Sequence, residues 1–257
     1  MSRFKDWLRR THLYPVLRGG WRLVRPKSRV ERLDARDSRQ ATAILRRVLR
    51  PGSNAIDVGA HRGDVLALLV RLSPAGWHVA VEPIPELAER LKAEFPGVTV
   101  HSAAVGDSTG TADFQWVVTN PAFSGLKRRP DLRPEETVRG VSVPVKRIDD
   151  LVPPGTSIAV LKIDVEGGEL GVLRGAARVL AESRPWVLLE HGGAAAAYGS
   201  TTADVAAEFA RHRMAIWLMG DWLAGRPPLT LDGLLAAVNS GEYWNFLAGP
   251  APEPARD

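Results

Sequence analysis

The chain has 257 residues, of which 45% are hydrophobic and 25% are charged, a mixture typical of globular proteins. It contains no cysteine, which excludes disulfides, a thiolate nucleophile and a cysteine metal site. The net charge is +5, and no apolar run approaches the roughly 18 residues that a membrane span needs. The basic N-terminus lacks the apolar core that is expected of a secretory signal. These features favour a cytoplasmic protein.

Positive charge is concentrated at the N-terminus, where residues 1–30 hold nine lysines and arginines and one acid, Asp6. The pattern predicts a basic helical extension over residues 1–50. Either its basic face contacts anionic lipid at a membrane periphery, nucleic acid or an acidic substrate, or it is a solvated helix packed through its apolar residues. The main domain is expected over residues 51–249, and a disordered tail over residues 250–257.

From residue 54 onward, short apolar runs that predict strands alternate with segments of helical spacing. The predicted strands cover residues 54–60, 77–83, 98–106, 111–119, 141–147, 158–164, 185–192, 215–219 and 243–248. The predicted helices cover residues 62–74, 84–96, 167–183 and 202–211, with a last helix from Thr230. This alternation predicts βαβ units and therefore an α/β fold, with a mostly parallel sheet covered by helices on both faces.

Carboxylates stand at or near the ends of four of the predicted parallel strands. They are Asp57, Glu82, Asp164 and Glu190. One such residue is explained as a helix N-cap. Four on the same edge favour a binding site, because ligands of open α/β sheets bind at the carboxyl ends of the strands.

The loop "DVGAHRGD", residues 57–64, predicts a nucleoside cofactor. Gly59 and Gly63 allow a tight turn from strand to helix and a close approach of a ligand to the backbone. Glu82, at the end of the next strand, is placed to bind both hydroxyls of a ribose. Asp57 would repel a pyrophosphate, and the loop lacks the G-x-G-x-x-G pattern. S-adenosylmethionine (SAM) is therefore favoured over a dinucleotide.

The segments "NAIDVGAHRGD", "VEPIPELAERLKAEFP", "AAVGDSTG", "LKIDVEGGELGVLRGAARVL" and "PWVLLEHG" occur in this order over about residues 52–192. Together they resemble the FkbM-type SAM-dependent methyltransferases, and "KIDVEGGE" is the most specific of them. The resemblance implies a Rossmann-like class I methyltransferase fold with a mostly parallel seven-stranded sheet whose last strand is antiparallel. It also implies methyl transfer to a hydroxyl of a sugar, glycolipid or polyketide-type product.

The resemblance places the cofactor against the glycine loop, with Glu82 at the ribose and two alanines near the adenine. The residues expected to contact SAM are Asp57, Gly59, Ala60, His61, Gly63, Glu82, Pro83, Ala103 and Ala104. His61 stands where the family often has Asn, so the resemblance implies no side-chain contact there.

A methyltransferase must align the acceptor oxygen behind the methyl group and help to remove its proton. Asp164 is the first candidate for this task, while Glu166 and Glu190 are expected to hold substrate hydroxyls or the SAM ammonium. His191 is an alternative base, because its pKa lies in a useful range. Glu169 is expected to be a first-turn acid that faces the helix dipole.

Three alternatives remain open at this stage. The carboxylates of Asp164, Glu166 and Glu190 could bind Mg²⁺, although no ligand spacing requires a metal and none is expected. The segment "VVTNPAFSG", residues 117–125, resembles the N-P-P-[FY] motif of amino-methyltransferases that act on adenine or glutamine, but Ala122 replaces the second proline. The chain could also be a non-catalytic partner protein.

The acceptor side carries two further expectations. Asn120 and Ser124 are predicted to flank the acceptor site, and residues 126–139 form either a lid or a solvated loop. The expected partner is a small-molecule, glycan or lipid-linked hydroxyl acceptor, and nucleic acid is not expected.

Overall fold

The computed structural model describes residues 28–130 and 132–252. The chain divides into two compact units, residues 1–38 and 39–257. The basic segment before residue 28, with its expected membrane contact, lies outside the described residues. Within the described ranges, no helix combines the length and the apolar character needed to cross a membrane.

The first helix, α1, spans Arg29–Val48 and begins with a capping box. The Ser28 hydroxyl accepts a hydrogen bond from the Glu31 amide (3.1 Å), and the Glu31 carboxylate accepts one from the Ser28 amide (2.6 Å). This reciprocal pair satisfies amides that the first helical turn leaves free. The border between the two compact units falls after Ser38, inside α1, whereas the sequence places it after residue 50. The domain assignment stays a prediction.

Ten strands follow, and seven of them form one sheet in the described structure. Their bounds are β1 Ala55–Val58, β2 His78–Val81, β3 Thr99–His101, β4 Ala104–Val105, β5 Gly110–Val117, β6 Val138–Lys146, β7 Val160–Ile163, β8 Trp186–Glu190, β9 Met214–Leu218 and β10 Asn245–Pro250. The sheet order is β3-β2-β1-β7-β8-β10-β9. Within this seven-stranded sheet, only β10 runs antiparallel to its neighbours. This topology confirms the fold class expected from the sequence.

Helices cover both faces of this sheet. Besides α1 they are α2 Asp64–Leu72, α3 Pro85–Glu94, α4 Ile148–Leu151, α5 Glu169–Gly175, α6 Ala177–Ser183, α7 Thr202–Arg211, α8 Met219–Leu223 and α9 Leu231–Asn239. Alternate residues of a strand point to opposite faces. Accordingly, Ile56 and Val58 pack with residues of α5, α6, α7 and α9, whereas Ala55 packs with residues of α1, α2 and α8.

The strand predicted over residues 98–106 is wrong, because the structure contains two strands there in different sheets. Strand β3 pairs with β2 as far as His101. After Ala103 donates its amide to the Glu82 carbonyl (3.2 Å), the chain turns into β4, which pairs with β6. Strands β4, β6 and β5 form a separate three-stranded sheet. The local sequence, residues 98–106, contains no glycine or proline before Gly106 that would mark this change of partner.

The single helix predicted over residues 167–183 is also wrong, since two helices, α5 and α6, meet at Ala176. The Asp149 carboxylate accepts hydrogen bonds from the amides of Arg178 (2.9 Å) and Val179 (3.1 Å), so it caps the second helix from a distant part of the chain. A Cβ at Gly175 would lie 2.0 Å from the Gly106 carbonyl oxygen. This close approach requires glycine at the junction.

Candidate active site

The strand order reverses between β1 and β7, and the predicted site lies at this point. Strands β2 and β3 extend the sheet on one side of the pair, and β8, β10 and β9 extend it on the other. In an open α/β sheet, the crevice outside the carboxyl ends of two such strands is the usual ligand site. The described structure brings the loop after β1, the end of β2 and the ends of β7 and β8 to this edge.

The loop after β1 is fixed by its own backbone and by neighbouring protein. Gly59 has φ 72° and Gly63 has φ 85°, conformations that suit glycine. A Cβ at Gly59 would lie 1.9 Å from the Asp164 carbonyl oxygen, and one at Gly63 would lie 2.8 Å from Leu91 and Phe95. The predicted tight turn is present. The requirement for glycine, however, comes from protein packing, without any need for a ligand close to the backbone.

Glu82 links the end of β2 to this loop. Its side chain is 3% exposed, and its two carboxylate oxygens accept hydrogen bonds from the amides of His61 (2.7 Å) and Ile84 (2.9 Å). Burial raises the pKa of Glu82 to about 7, although these two hydrogen bonds favour the ionised form. Ala103 hydrogen-bonds the Glu82 backbone. The structure therefore brings together the loop, Glu82 and Ala103, as the sequence predicts.

The polar atoms at this part of the edge suit the groups that SAM carries. Asp57 is fully buried, and neither carboxylate oxygen has a hydrogen-bond partner among the residues that the structure describes. His61 Nε2 is also buried without one in the same described part. Burial raises the pKa of Asp57, and the nearby Lys162 ammonium opposes that rise. Carboxylate acceptors favour ammonium, sulfonium and hydroxyl groups and disfavour a pyrophosphate. The residues present therefore fit SAM.

Three carboxylates meet on the other side of the switch point, after β7 and at the end of β8. Asp164, Glu166 and Glu190 each place one oxygen within 4.8 Å of the others. Two cations already contact this group. Lys162 Nζ lies 3.1 Å from the Asp164 carboxylate, and Arg129 forms an ion pair with Glu166. Although the oxygens suit a hard cation such as Mg²⁺, protein side chains supply the compensating charge here.

Glu166 reaches this group from a rare backbone conformation. Its φ is 55°, in the left-handed region that non-glycine residues seldom adopt, and Gly167 follows with φ 108°. A Cβ at Gly167 would lie 2.5 Å from the Ala194 carbonyl oxygen. Such strain persists when the surroundings impose it, and it concentrates at functional sites. The two residues turn the chain from β7 into α5 and direct the Glu166 side chain towards Arg129.

The protonation states of the carboxylates differ. Burial, together with the charges of Asp164 and Glu166, raises the pKa of Glu190 to about 9. Burial raises the pKa of Glu166 to about 7 against the opposing effect of Arg129. At neutral pH the protonated form of Glu190 is therefore favoured while the site holds no further cation. The Asp164 side chain is 31% exposed, against 13% for Glu166, and is ion-paired with Lys162.

Replacing Glu190 by glutamine should flatten the pH dependence of stability. Between the ordinary pKa of 4.5 and the folded value of about 9, the folded protein binds more protons at this site than the unfolded chain. The free energy of unfolding must then fall as pH rises through this window. Thermal melts from pH 5 to 9 should show a smaller loss of Tm for E190Q than for wild type. Parallel curves would contradict the raised pKa.

His191 is buried with partners at both ring nitrogens, which argues against its predicted role as a base. The side chain is buried, with Nδ1 3.3 Å from Glu169 Oε2 and Nε2 3.1 Å from the Thr202 hydroxyl. Both ring nitrogens are therefore engaged. Glu169 is likewise buried and accepts a hydrogen bond from the Gly167 amide (2.6 Å). Glu169 stands in the first turn of α5, as expected from the sequence, and its carboxylate also connects this turn to His191.

The segment between β5 and β6 contacts the three-carboxylate group through Arg129, a residue that the sequence did not single out. Arg129 pairs with Glu166 and lies over the Phe123 ring, with its Cζ 4.4 Å from the ring centroid. The Tyr198 hydroxyl accepts a hydrogen bond from the Lys127 amide (3.0 Å). Within a charge-rich loop, no sequence signal distinguishes Arg129 from its neighbours.

The "NPAF" segment lies in the connection between β5 and β6. Residues Pro121–Phe123 form a 3-10 turn after β5, a strand of the three-stranded sheet. The Ser124 hydroxyl accepts a hydrogen bond from the Val117 amide (3.0 Å), so it stabilises the hairpin. The three carboxylates of Asp164, Glu166 and Glu190 lie at the carboxyl ends of the parallel strands of the other sheet. This placement weakens the amino-methyltransferase interpretation.

A family model for the methyltransferase FkbM domain matches residues 57–220, more than half of the chain. The chain belongs to the FkbM methyltransferase family. The matched range includes the loop after β1, Glu82 and the acidic group after β7. A search of curated proteins finds no match.

A comparison with solved structures finds chains similar to this FkbM-family chain. A methyltransferase FkbM from Methylobacillus flagellatus KT has a TM-score of 0.50 and 19% identity; the match covers 78% of this chain and 44% of that one. This chain thus spans less than half of that protein. The StiE O-MT, residues 961–1257, has a TM-score of 0.46 and 12% identity over 95% of this chain and 83% of that one. An rRNA methylase from Streptococcus thermophilus has a TM-score of 0.42 and 11% identity over 89% and 100%.

Proposed function

We propose that this FkbM-family methyltransferase transfers a methyl group from SAM to a hydroxyl of a sugar, glycolipid or polyketide-type acceptor. The observation that supports this proposal is that two separate acidic groups lie on the two sides of the switch point between β1 and β7. Asp57 and Glu82 stand on one side, and Asp164, Glu166 and Glu190 stand on the other. The first group suits the cationic and hydroxyl parts of a cofactor. The second suits a polyhydroxylated acceptor.

Bound SAM supplies an activated methyl group, and the chain's own residues arrange the reactants. The loop of residues 57–64 and Glu82 hold the cofactor, and Glu82 accepts hydrogen bonds from ribose hydroxyls when ionised. Sequestration and alignment contribute much of the acceleration in such reactions. Arg129 and Phe123, in the segment between β5 and β6, offer a cation and an aromatic face to the acceptor.

On the acceptor side, the three carboxylates take different tasks. Asp164 accepts the proton of the acceptor hydroxyl, because it combines an exposed carboxylate with a fixed position beside Lys162. Glu190, protonated at neutral pH, donates a hydrogen bond to an acceptor oxygen. Glu166 orients a neighbouring hydroxyl from its ion pair with Arg129. The acceptor is a small molecule, a glycan or a lipid-linked glycan.

Calorimetric titration with SAM, comparing wild type with Glu82→Ala, tests the cofactor assignment. At pH 8, above the Glu82 pKa of about 7, wild type should bind. The variant should bind about ten- to a hundredfold more weakly, because a charge-assisted hydrogen bond contributes about 1.5–3 kcal/mol. Glu86→Ala, an exposed first-turn residue of α3, is the matched control and should bind as wild type does.

Two results would contradict the assignment. If folded wild type binds neither SAM nor its demethylated product, the methyltransferase proposal fails as stated. If Glu82→Ala binds as tightly as wild type, the cofactor does not use this carboxylate. Once binding is shown, release of S-adenosylhomocysteine (SAH) in the presence of glycans, glycolipids and polyketides identifies the acceptor class.

A further inference from the structure

A single lysine occupies the centre of the switch point. Lys162 lies in β7 and is the register partner of Asp57 in β1. Its neighbours Leu161 and Ile163 are fully buried, and its own side chain is only 12% exposed. Because side chains alternate along a strand, Lys162 points to the same face as Val160, which packs with residues of α1, α2 and α8.

The Lys162 ammonium touches both halves of the site. It donates a hydrogen bond to the Gly59 carbonyl in the loop after β1, with a distance of 2.7 Å. It lies 3.1 Å from the Asp164 carboxylate, after β7, and 3.4 Å from the Asp57 carboxylate, in β1. Its partners therefore lie in the loop after β1, in β1 itself and in the group of three carboxylates formed by Asp164, Glu166 and Glu190.

These contacts require an ammonium group. Burial lowers the pKa of Lys162, but the carboxylates of Asp164 and Asp57 raise it by more, so the side chain stays charged. A buried cation is stable only where acceptors surround it. An ammonium directs its three donors to separate partners, whereas the planar guanidinium of arginine suits a bidentate pair. The carbonyls of Gly59 and Val58 (3.5 Å) and the Asp164 carboxylate surround this one nitrogen, which suits lysine. Asp57 adds an ion pair at 3.4 Å without a hydrogen bond.

We propose that Lys162 is a positioning residue that holds the cofactor loop at Gly59 and the Asp164 carboxylate in one fixed geometry. This inference rests on the proposed function, which assigns the loop to SAM and Asp164 to the acceptor hydroxyl. Loss of the ammonium frees the Gly59 carbonyl and leaves two acidic side chains without their cation. The loop then loses its binding conformation even though Lys162 itself does not contact SAM.

Lys162→Met, which keeps most of the side-chain length and removes the charge, tests the proposal with SAH as the probe. We expect calorimetry to show binding weakened about ten- to a hundredfold relative to wild type. Hydrogen exchange of the unliganded variant should be faster at the amides of residues 58–64 than in wild type. Leu234→Ala, a buried core residue of α9, is the control for lost stability and should leave both readouts unchanged.

The outcomes separate this inference from the proposed function. If wild type fails to bind SAH, the proposed function fails. If wild type binds and K162M binds equally well while losing stability as L234A does, Lys162 is structural and the inference is overturned. If K162M does not fold, K162M/D164N, which removes one of the unpaired carboxylates, is compared with D164N. Weaker binding by the double variant supports the inference, and equal binding overturns it.

Discussion

Replacing Asp164 by asparagine should abolish most of the methyl transfer while the protein remains folded. General base catalysis contributes about 10²–10⁴-fold, and a neutral amide cannot accept the hydroxyl proton. Asparagine keeps the size of the side chain and can still accept a hydrogen bond from Lys162, 3.1 Å away in wild type. The measurement is the rate of SAH formation at saturating SAM, with an acceptor identified by the screen described above.

The control for Asp164→Asn is Asp232→Asn, an exposed residue in the first turn of α9. It changes the net charge identically and should leave the rate unchanged. If D164N keeps more than about a tenth of the wild-type rate, Asp164 does not act as the base, because this loss is smaller than general base catalysis supplies. Glu166→Gln would then be the next variant, since Glu166 has a pKa of about 7 and can accept a proton near neutral pH.

The sequence predicts the main sheet and the common edge of its strand-end carboxylates well, for physical reasons that lie in short segments. A strand, a glycine turn and an amphipathic helix are all encoded within about 20 residues, and the carboxylates at strand ends share one edge wherever the strands are parallel. Asp57, Glu82 and Asp164 are therefore brought together by topology alone.

Contacts between segments that are distant in the sequence cannot be predicted from such local patterns. Asp149 caps the helix that begins at Ala177, which divides one predicted helix into two. Arg129 reaches Glu166 from a loop whose sequence is rich in similar charges. His191 follows the same strand as Glu190, yet its ring is buried against Glu169 and Thr202. In each case a contact with a residue distant in the sequence determines the role of the side chain. The local sequence spacing does not indicate that contact.

Lys162 is an intermediate case, because the sequence contains a signal for it. A lysine between buried apolar residues in a strand is unusual, since Lys is seldom buried without a partner. The signal identifies a paired buried cation. It does not show that the partners are the Gly59 carbonyl and Asp164, which follow only from the register of β1 and β7.

The largest effect on stability is expected for Gly59→Ala. The added Cβ would lie 1.9 Å from the Asp164 carbonyl oxygen, a backbone atom that cannot rotate away. The left-handed φ of 72° adds roughly 1–2 kcal/mol for a residue with a Cβ. We expect a total loss of about 4 kcal/mol or more, which is exceptional for one substitution and corresponds to a fall in Tm of about 10 °C.

Gly225→Ala separates the two causes. Gly225 has nearly the same φ, 71°, but no heavy atom lies within 4 Å of the added Cβ. The free energy of unfolding of this control should therefore fall only by the conformational contribution, about 1–2 kcal/mol. Equal losses for the two variants in thermal or urea unfolding would show that the close contact at Gly59 is unimportant. A much larger loss of stability for G59A would show that the loop after β1 and the end of β7 are in close backbone contact. The glycine would then be required by the same junction at which Lys162 and Asp164 meet.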